Sequence, residues 1–145
     1  SDLPAFLIKE SGLNSGLMIA HVTMAALASE NKYLSHPAST DSIPTSTDKE
    51  DHVSMGVTSG RKLHEILRNV KYCLAIEFLC NTQAVDLLSP LKTNAALNEV
   101  YELIRKHVPP INEDRVFSKD IENITKLVNN FEILDVVESK IGKLH

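Results

Sequence analysis

The longest helical pattern in the sequence runs from about Glu50 to Leu88, and it is too long for the chain that carries it. A helix of ~38 residues spans ~57 Å. A compact globule of this length has a radius of gyration near ~15 Å, hence a diameter of only ~40 Å. Leu63, Ile66, Leu67, Val70, Cys73 and Leu74 form an apolar stripe at helical spacing, and Arg61, Lys62, Glu65, Arg68 and Lys71 cover much of the rest. From Tyr72 to Cys80 only Glu77 interrupts an apolar run. A helix apolar on every side needs neighbours on every side. The chain cannot supply them all, so it reads as one piece of a larger helical assembly. Gly56 and Gly60 lower helix propensity near the start and mark an expected bend.

A first helix, expected over about Leu13–Asn31, has the same character. From Leu17 to Ala28 only His21 and Thr23 break the apolar run. Ala20, Ala25, Ala26 and Ala28 leave room for a neighbour to approach closely. Ser11, Asn14 or Ser15 are the candidate caps. His21 is expected as a hydrogen-bonded core histidine. The run is too short to span a membrane. Apolar surfaces of this kind stay in solution when paired, so self-association is expected.

The remainder is amphipathic. Ser89-Pro90 ends the long helix, because proline disfavours helix in the residue before it. Thr93 or Asn94 caps a third helix to about His107, stopped by Pro109-Pro110. Ser118 is the expected cap of a fourth, with Ile121, Ile124, Leu127 and Val128 as its stripe. Asn129-Asn130 breaks the pattern, and Phe131 to Ile141 reads as a short terminal helix closed by Gly142. The fold class is therefore all-α, a long-helix bundle with a smaller helical part over residues 94–141.

The 145 residues make one domain's worth of chain. The net charge of −4, without a basic stripe, disfavours nucleic acid as a partner. Cys73 and Cys80 are seven apart on one helical face, about 10 Å along the axis, too far for a disulfide. They read as buried small hydrophobes in a reducing compartment, and no secretory signal opens the sequence. A cytoplasmic location is expected. No phosphate-binding loop, dinucleotide fingerprint or nucleophile elbow occurs. The histidines at 21, 36, 52, 64, 107 and 145 lack metal-ligand spacing, so no metal site is expected.

Between the two apolar helices lies SHPASTDSIPTSTDKEDHVSMG, from Ser35 to Gly56. It is mostly Ser, Thr, Asp, Pro and His. A loop of this length inside a compact domain is either functional or a linker. On the linker reading, Thr47-Asp48-Lys49-Glu50 is a capping box that starts the long helix, with Asp48, Glu50 and Asp51 at its positive end. On the functional reading, Glu50 is an active-site group.

The strings SGLNSGLMIAHVTMAALASENK, HPASTDSIPTS and KEDHVSMG resemble the histidine-acting branch of the aromatic amino-acid lyase family. The resemblance is collinear from about Leu3 to Leu88 and weaker beyond. It implies that residues 1–145 are a single carboxy-terminal helical region, a fragment of a larger helical ammonia-lyase, with residues 35–50 as the functional loop. Family members remove ammonia from an aromatic amino acid without hydrolysis, and the histidine branch converts L-histidine to urocanate. Their electrophile is a methylidene-imidazolone (MIO), formed from an Ala-Ser-Gly tripeptide that this sequence lacks. Thr58-Ser59-Gly60 falls after the functional loop, so Ser59 is expected as a surface helix residue. The chain alone is therefore expected to be inactive.

Glu50 is the residue the resemblance carries over, as both catalytic and substrate-binding. In histidine-acting members the matching Glu faces the imidazole ring, and relatives acting on phenylalanine lack it. Asp51 and His52 are expected to brace the loop. Lys49 stands where the family often has Gln, which leaves its role open. The resemblance also implies a homotetramer. The alternatives are another ammonia-lyase or aminomutase of the family, or a non-catalytic helical interaction module.

Overall fold

The computed structural model describes residues 3–144. Within them the chain forms helices α1 (Met18–Leu34), α2 (Gly56–Leu87), α3 (Ala95–His107), α4 (Ser118–Asn129) and α5 (Glu132–Ile141). Short 3₁₀ turns lie at Ala5–Leu7 and Ala38–Thr40. Helix α2 is the axis. Helix α1 packs along it, α4 packs against it, and α5 lies on α3 and α4.

Helix α2 is 32 residues long, or about 48 Å at 1.5 Å per residue. It starts at Gly56, later than the expected Glu50. The capping box does not form. Glu50 commits both its backbone N–H and its C=O to Thr45, at 3.2 and 2.8 Å, so it cannot open a helix. Met55, left-handed at φ 49°, precedes the first helical residue. Gly60 sits inside the continuous helix.

Helix α1 begins at Met18 and runs on to Leu34, shifted from the expected Leu13–Asn31. Ser11, Asn14 and Ser15 do not cap it. Instead the Asp114 carboxylate accepts from the N–H groups of Ser15 and Gly16, both at 2.8 Å, and the Asp114 N–H donates to Asn14 Oδ1 at 3.0 Å. The chain turns sharply here. Gly16 has φ +54°, and a Cβ on it would meet Phe6 O at 2.6 Å, so only glycine fits.

The core sits where the second half of α2 meets α3 and α4. Ile8, Ile76, Leu79, Ile104, Val108 and Ile124 are completely buried there. Gln83, also buried, holds three segments together. Its Nε2 donates to Leu7 O and Ile111 O, and its Oε1 accepts from Ile111 N. Arg105 on α3 pairs with Asp86 on α2, and the Tyr101 hydroxyl donates to the same carboxylate at 2.6 Å. Within this network the buried Arg105 Nε has no hydrogen-bond partner, which costs part of what the pairing gains.

The small helices follow local rules. Asn94 caps α3, its side chain accepting from Leu97 N at 2.9 Å. Ser118 is the first residue of α4 rather than its cap, and Phe117 occupies the cap position. The start of α4 is held by Asp120, buried and paired to Arg115 Nε at 2.9 Å. Helix α5 begins at Glu132, since Phe131 is left-handed at φ 61°, and it ends at Gly142, φ 87°.

Helix α1 and the first half of α2 are different. Within α1 only Ala20 is buried. Ile19, Val22, Leu63 and Leu67 are each at least half exposed. His21, expected in the core, is exposed. The buried residue of this half of α2 is polar: Asn69 Nδ2 donates to Glu30 Oε2 at 2.8 Å and Asn31 Oδ1 at 3.0 Å, which ties the end of α1 to α2. Among the described residues no helix is long and apolar enough to cross a membrane.

Candidate functional site

Residues 35–55 leave the end of α1, cross the flank of α2 and return to its start. Lys62 Nζ on α2 donates to the carbonyl of His36, and the turn Ala38–Thr40 packs against α2. Pro37 and Pro44 restrict the backbone on either side of that turn. Two arms then run antiparallel. Thr45 and Glu50 exchange both backbone hydrogen bonds in an isolated β-bridge. Further from the tip, Val53 N–H donates to Ser42 Oγ at 2.9 Å.

The tip between the arms is strained. Ser46, Thr47 and Asp48 are all left-handed, with φ of 54, 56 and 64°. A residue with a Cβ pays about 1–2 kcal/mol for that conformation. Such strain persists where the surroundings over-determine the backbone, and it concentrates at functional segments.

Glu50 stands on the returning arm with its side chain exposed. Among the described residues its carboxylate takes part in none of the ion pairs, and Lys49 does not pair with it. The carboxylate is thus presented on a fixed backbone with its lone pairs free, an arrangement suited to accept a hydrogen bond from a cationic or N–H-bearing ligand. Asp51 and His52 are exposed; the brace between the arms is Ser42. An open groove of about 650 Å³ lies beside the loop, lined by Leu34, Val57, Gly60, Arg61, Lys62, His64 and Glu65. Glu50 does not line it.

The other chemistry-bearing residues are placed elsewhere. Cys73 and Cys80 are free and half-buried, less enclosed than expected. Burial pushes both thiols up, and Glu77 adds to the rise at Cys80, so both stay protonated and unreactive at neutral pH. No group of three or more His, Cys, Asp or Glu among the described residues is arranged to hold a metal ion. Ser59 and Gly60 cannot form a methylidene-imidazolone. Both lie inside α2, with helical backbone that a cyclising tripeptide would have to abandon, and Ser59 is exposed as expected.

Two structural residues were missed by sequence reasoning, Asp114 and Asn69. Asp114 acts on residues 98 and 99 positions away, and Asn69 is one polar residue within a long amphipathic pattern. No local signal marks either. Ser42 lies within the polar loop, but its pairing with Val53 depends on how the loop folds back.

Comparison with known proteins bears on this loop and on the helices around it. The aromatic amino acid lyase family matches residues 1–106. A histidine ammonia-lyase of Symbiobacterium thermophilum is 49% identical over 144 residues, covering 99% of this chain and 28% of its own length. One from Burkholderia ambifaria is 57% identical over 129 residues, 89% of this chain and 25% of its own. The crystal structure of histidine ammonia-lyase from Trypanosoma cruzi superposes with a TM-score of 0.92 at 52% identity, covering 96% of this chain and 27% of that one. A tyrosine aminomutase from Streptomyces globisporus superposes with a TM-score of 0.89 at 34% identity, over 99% of this chain and 27% of its own. The chain thus spans about a quarter of the length of the relatives it matches. The family match reaches through α1, the polar loop and α2 into α3, and by sequence and fold alike the chain belongs to the aromatic amino acid lyase family.

Proposed function

We propose that the enzyme to which this chain contributes eliminates ammonia from L-histidine to give urocanate. In that reaction the Cα–N bond breaks, a proton leaves Cβ, and a Cα=Cβ double bond forms as ammonia departs. The observation that carries the reading is Glu50, an unpaired carboxylate on a pinned arm of the family's polar loop. It is supported by the chain's greater identity to histidine ammonia-lyases than to the tyrosine aminomutase.

Glu50 accepts the imidazole N–H of the substrate, orients the ring and stabilises the charge that develops on it. A phenyl side chain offers no such N–H, so the same contact selects histidine. The MIO group, made in the family from Ala-Ser-Gly, supplies the electrophile for ammonia loss, and on this reading it and the catalytic base come from segments outside these 145 residues. The exposed apolar faces of α1 and α2 are then covered by those segments and by other copies, up to a homotetramer, in the cytoplasm.

The test is to give the whole enzyme L-histidine, L-phenylalanine and L-tyrosine and follow the ultraviolet absorbance of the conjugated acid products. Urocanate from histidine, with no comparable turnover of the other two and none by the 145-residue chain alone, is the expected result. Turnover of tyrosine to a β-amino acid, which lacks the conjugated double bond and is read by chromatography of the same reactions, would assign the chain to an aminomutase instead. Urocanate formed by the pure 145-residue chain would overturn the assignment of the electrophile to other segments.

A further inference from the structure

The loop carrying Glu50 is pinned across its two arms at two levels. At the tip, Thr45 and Glu50 exchange backbone hydrogen bonds, which a residue of almost any type could supply. Below it, Val53 N–H donates to Ser42 Oγ at 2.9 Å. Among the described residues this is the cross-arm tie within the loop that depends on a side chain. Three other loop hydroxyls bond locally: Ser35 Oγ donates to Lys32 O, Thr40 Oγ1 to Pro37 O, and Thr47 Oγ1 to Ser46 O.

The two levels are not redundant. A single bridged pair fixes where the arms meet and leaves them free to pivot about it. The tip adds a load of its own, because Ser46, Thr47 and Asp48 are all left-handed and gain by relaxing. Ser42 and Val53 are both half-buried while Glu50 is exposed, so the second tie lies on the sheltered side of the loop. From there it sets the angle at which the returning arm, and Glu50 on it, leaves the body of the protein.

We propose that Ser42 is a positioning residue for Glu50: its hydroxyl accepts the Val53 N–H and thereby fixes the direction of the Glu50 carboxylate. The inference rests on the proposed substrate role of Glu50. It predicts that Ser42 matters to turnover only through that carboxylate.

The test is a double-mutant cycle in the whole enzyme, with L-histidine as substrate. Ser42→Ala should lower kcat/KM about tenfold, since a misplacement of ~1 Å at a site costs up to ~100-fold. Ser42→Thr keeps the hydroxyl and should retain most of the activity. Ser42→Val, of the same shape as Thr without the acceptor, should behave like Ser42→Ala. In a Glu50→Gln background, Ser42→Ala should lower activity little further, because the carboxylate it aims is gone. If the Ser42→Ala loss multiplies undiminished onto that of Glu50→Gln, Ser42 does not act through Glu50 and the proposal fails. It fails too if Ser42→Ala matches the unmodified enzyme, or if both Ser42→Ala and Ser42→Val lose the folded enzyme, which assigns Ser42 to stability. Full activity of Glu50→Gln alone would instead remove the reading on which this one rests.

Discussion

Leu79 and Leu67 lie on the same helix and meet opposite surroundings. Leu79 is 0% exposed, inside the core made with α3 and α4, while Leu67 is 50% exposed on a face that the described residues leave partly open. The second half of α2 is part of a self-contained unit. Its apolar stripe finds partners in α3 and α4, on which α5 lies, and its polar residues Gln83 and Asp86 are hydrogen-bonded within the chain. The first half of α2, with α1, has an apolar surface left open and a polar residue, Asn69, at its centre. The catalytic candidate belongs to the incomplete half. One end of the molecule is a scaffold that closes on itself, and the other presents a loop and an apolar face for completion by further protein.

The largest effect expected from that contrast is at the closed end. Leu79→Ala leaves a cavity in a packed core and should cost about 2–5 kcal/mol, read by urea unfolding as a lower midpoint at an unchanged slope. Leu67→Ala should cost under ~1 kcal/mol in the isolated chain, because half of the side chain already meets solvent. The same change should weaken self-association by up to about tenfold, on the order of 1 kcal/mol, read by sedimentation at tens of micromolar. Equal losses of chain stability from the two substitutions would make both halves core and end the distinction. A Leu67→Ala chain that associates as strongly as the original would show that the open face is not the interface.

The same contrast decides what could be read in the sequence. Most signals of the α3–α5 region were legible locally: Asn94, one of the two candidate caps, the break at Asn129-Asn130 and the Gly142 stop lie where the pattern places them, while Ser118 starts α4 without capping it. The open half follows rules set at a distance. The Thr47–Glu50 capping box is a sound local signal, but the bridge from Thr45 takes both backbone groups of Glu50 first, and α2 waits until Gly56. The start of α1 depends on Asp114, which no window of a few residues can contain. His21 and the Leu63–Leu74 stripe sit in an apolar pattern that calls for burial, and among the described residues the packing of α1 along α2 leaves His21, Leu63 and Leu67 exposed. Glu50 enters the candidate site by resemblance alone. The brace at Ser42 was not legible, because it exists only once the arms have folded together.

On the proposed function the open half carries the chemistry through Glu50, with the closed half as its mount. Glu50→Gln in the whole enzyme separates that role from a structural one. Gln matches Glu in size and the backbone bridge to Thr45 does not involve the side chain, so the melting temperature should be nearly unchanged. Removing one preorganised charge from the substrate ring should lower kcat/KM for L-histidine about 100-fold, or ~3 kcal/mol. An early-melting variant whose folded fraction turns over histidine at close to the normal rate would make Glu50 a structural residue and remove it from the chemistry.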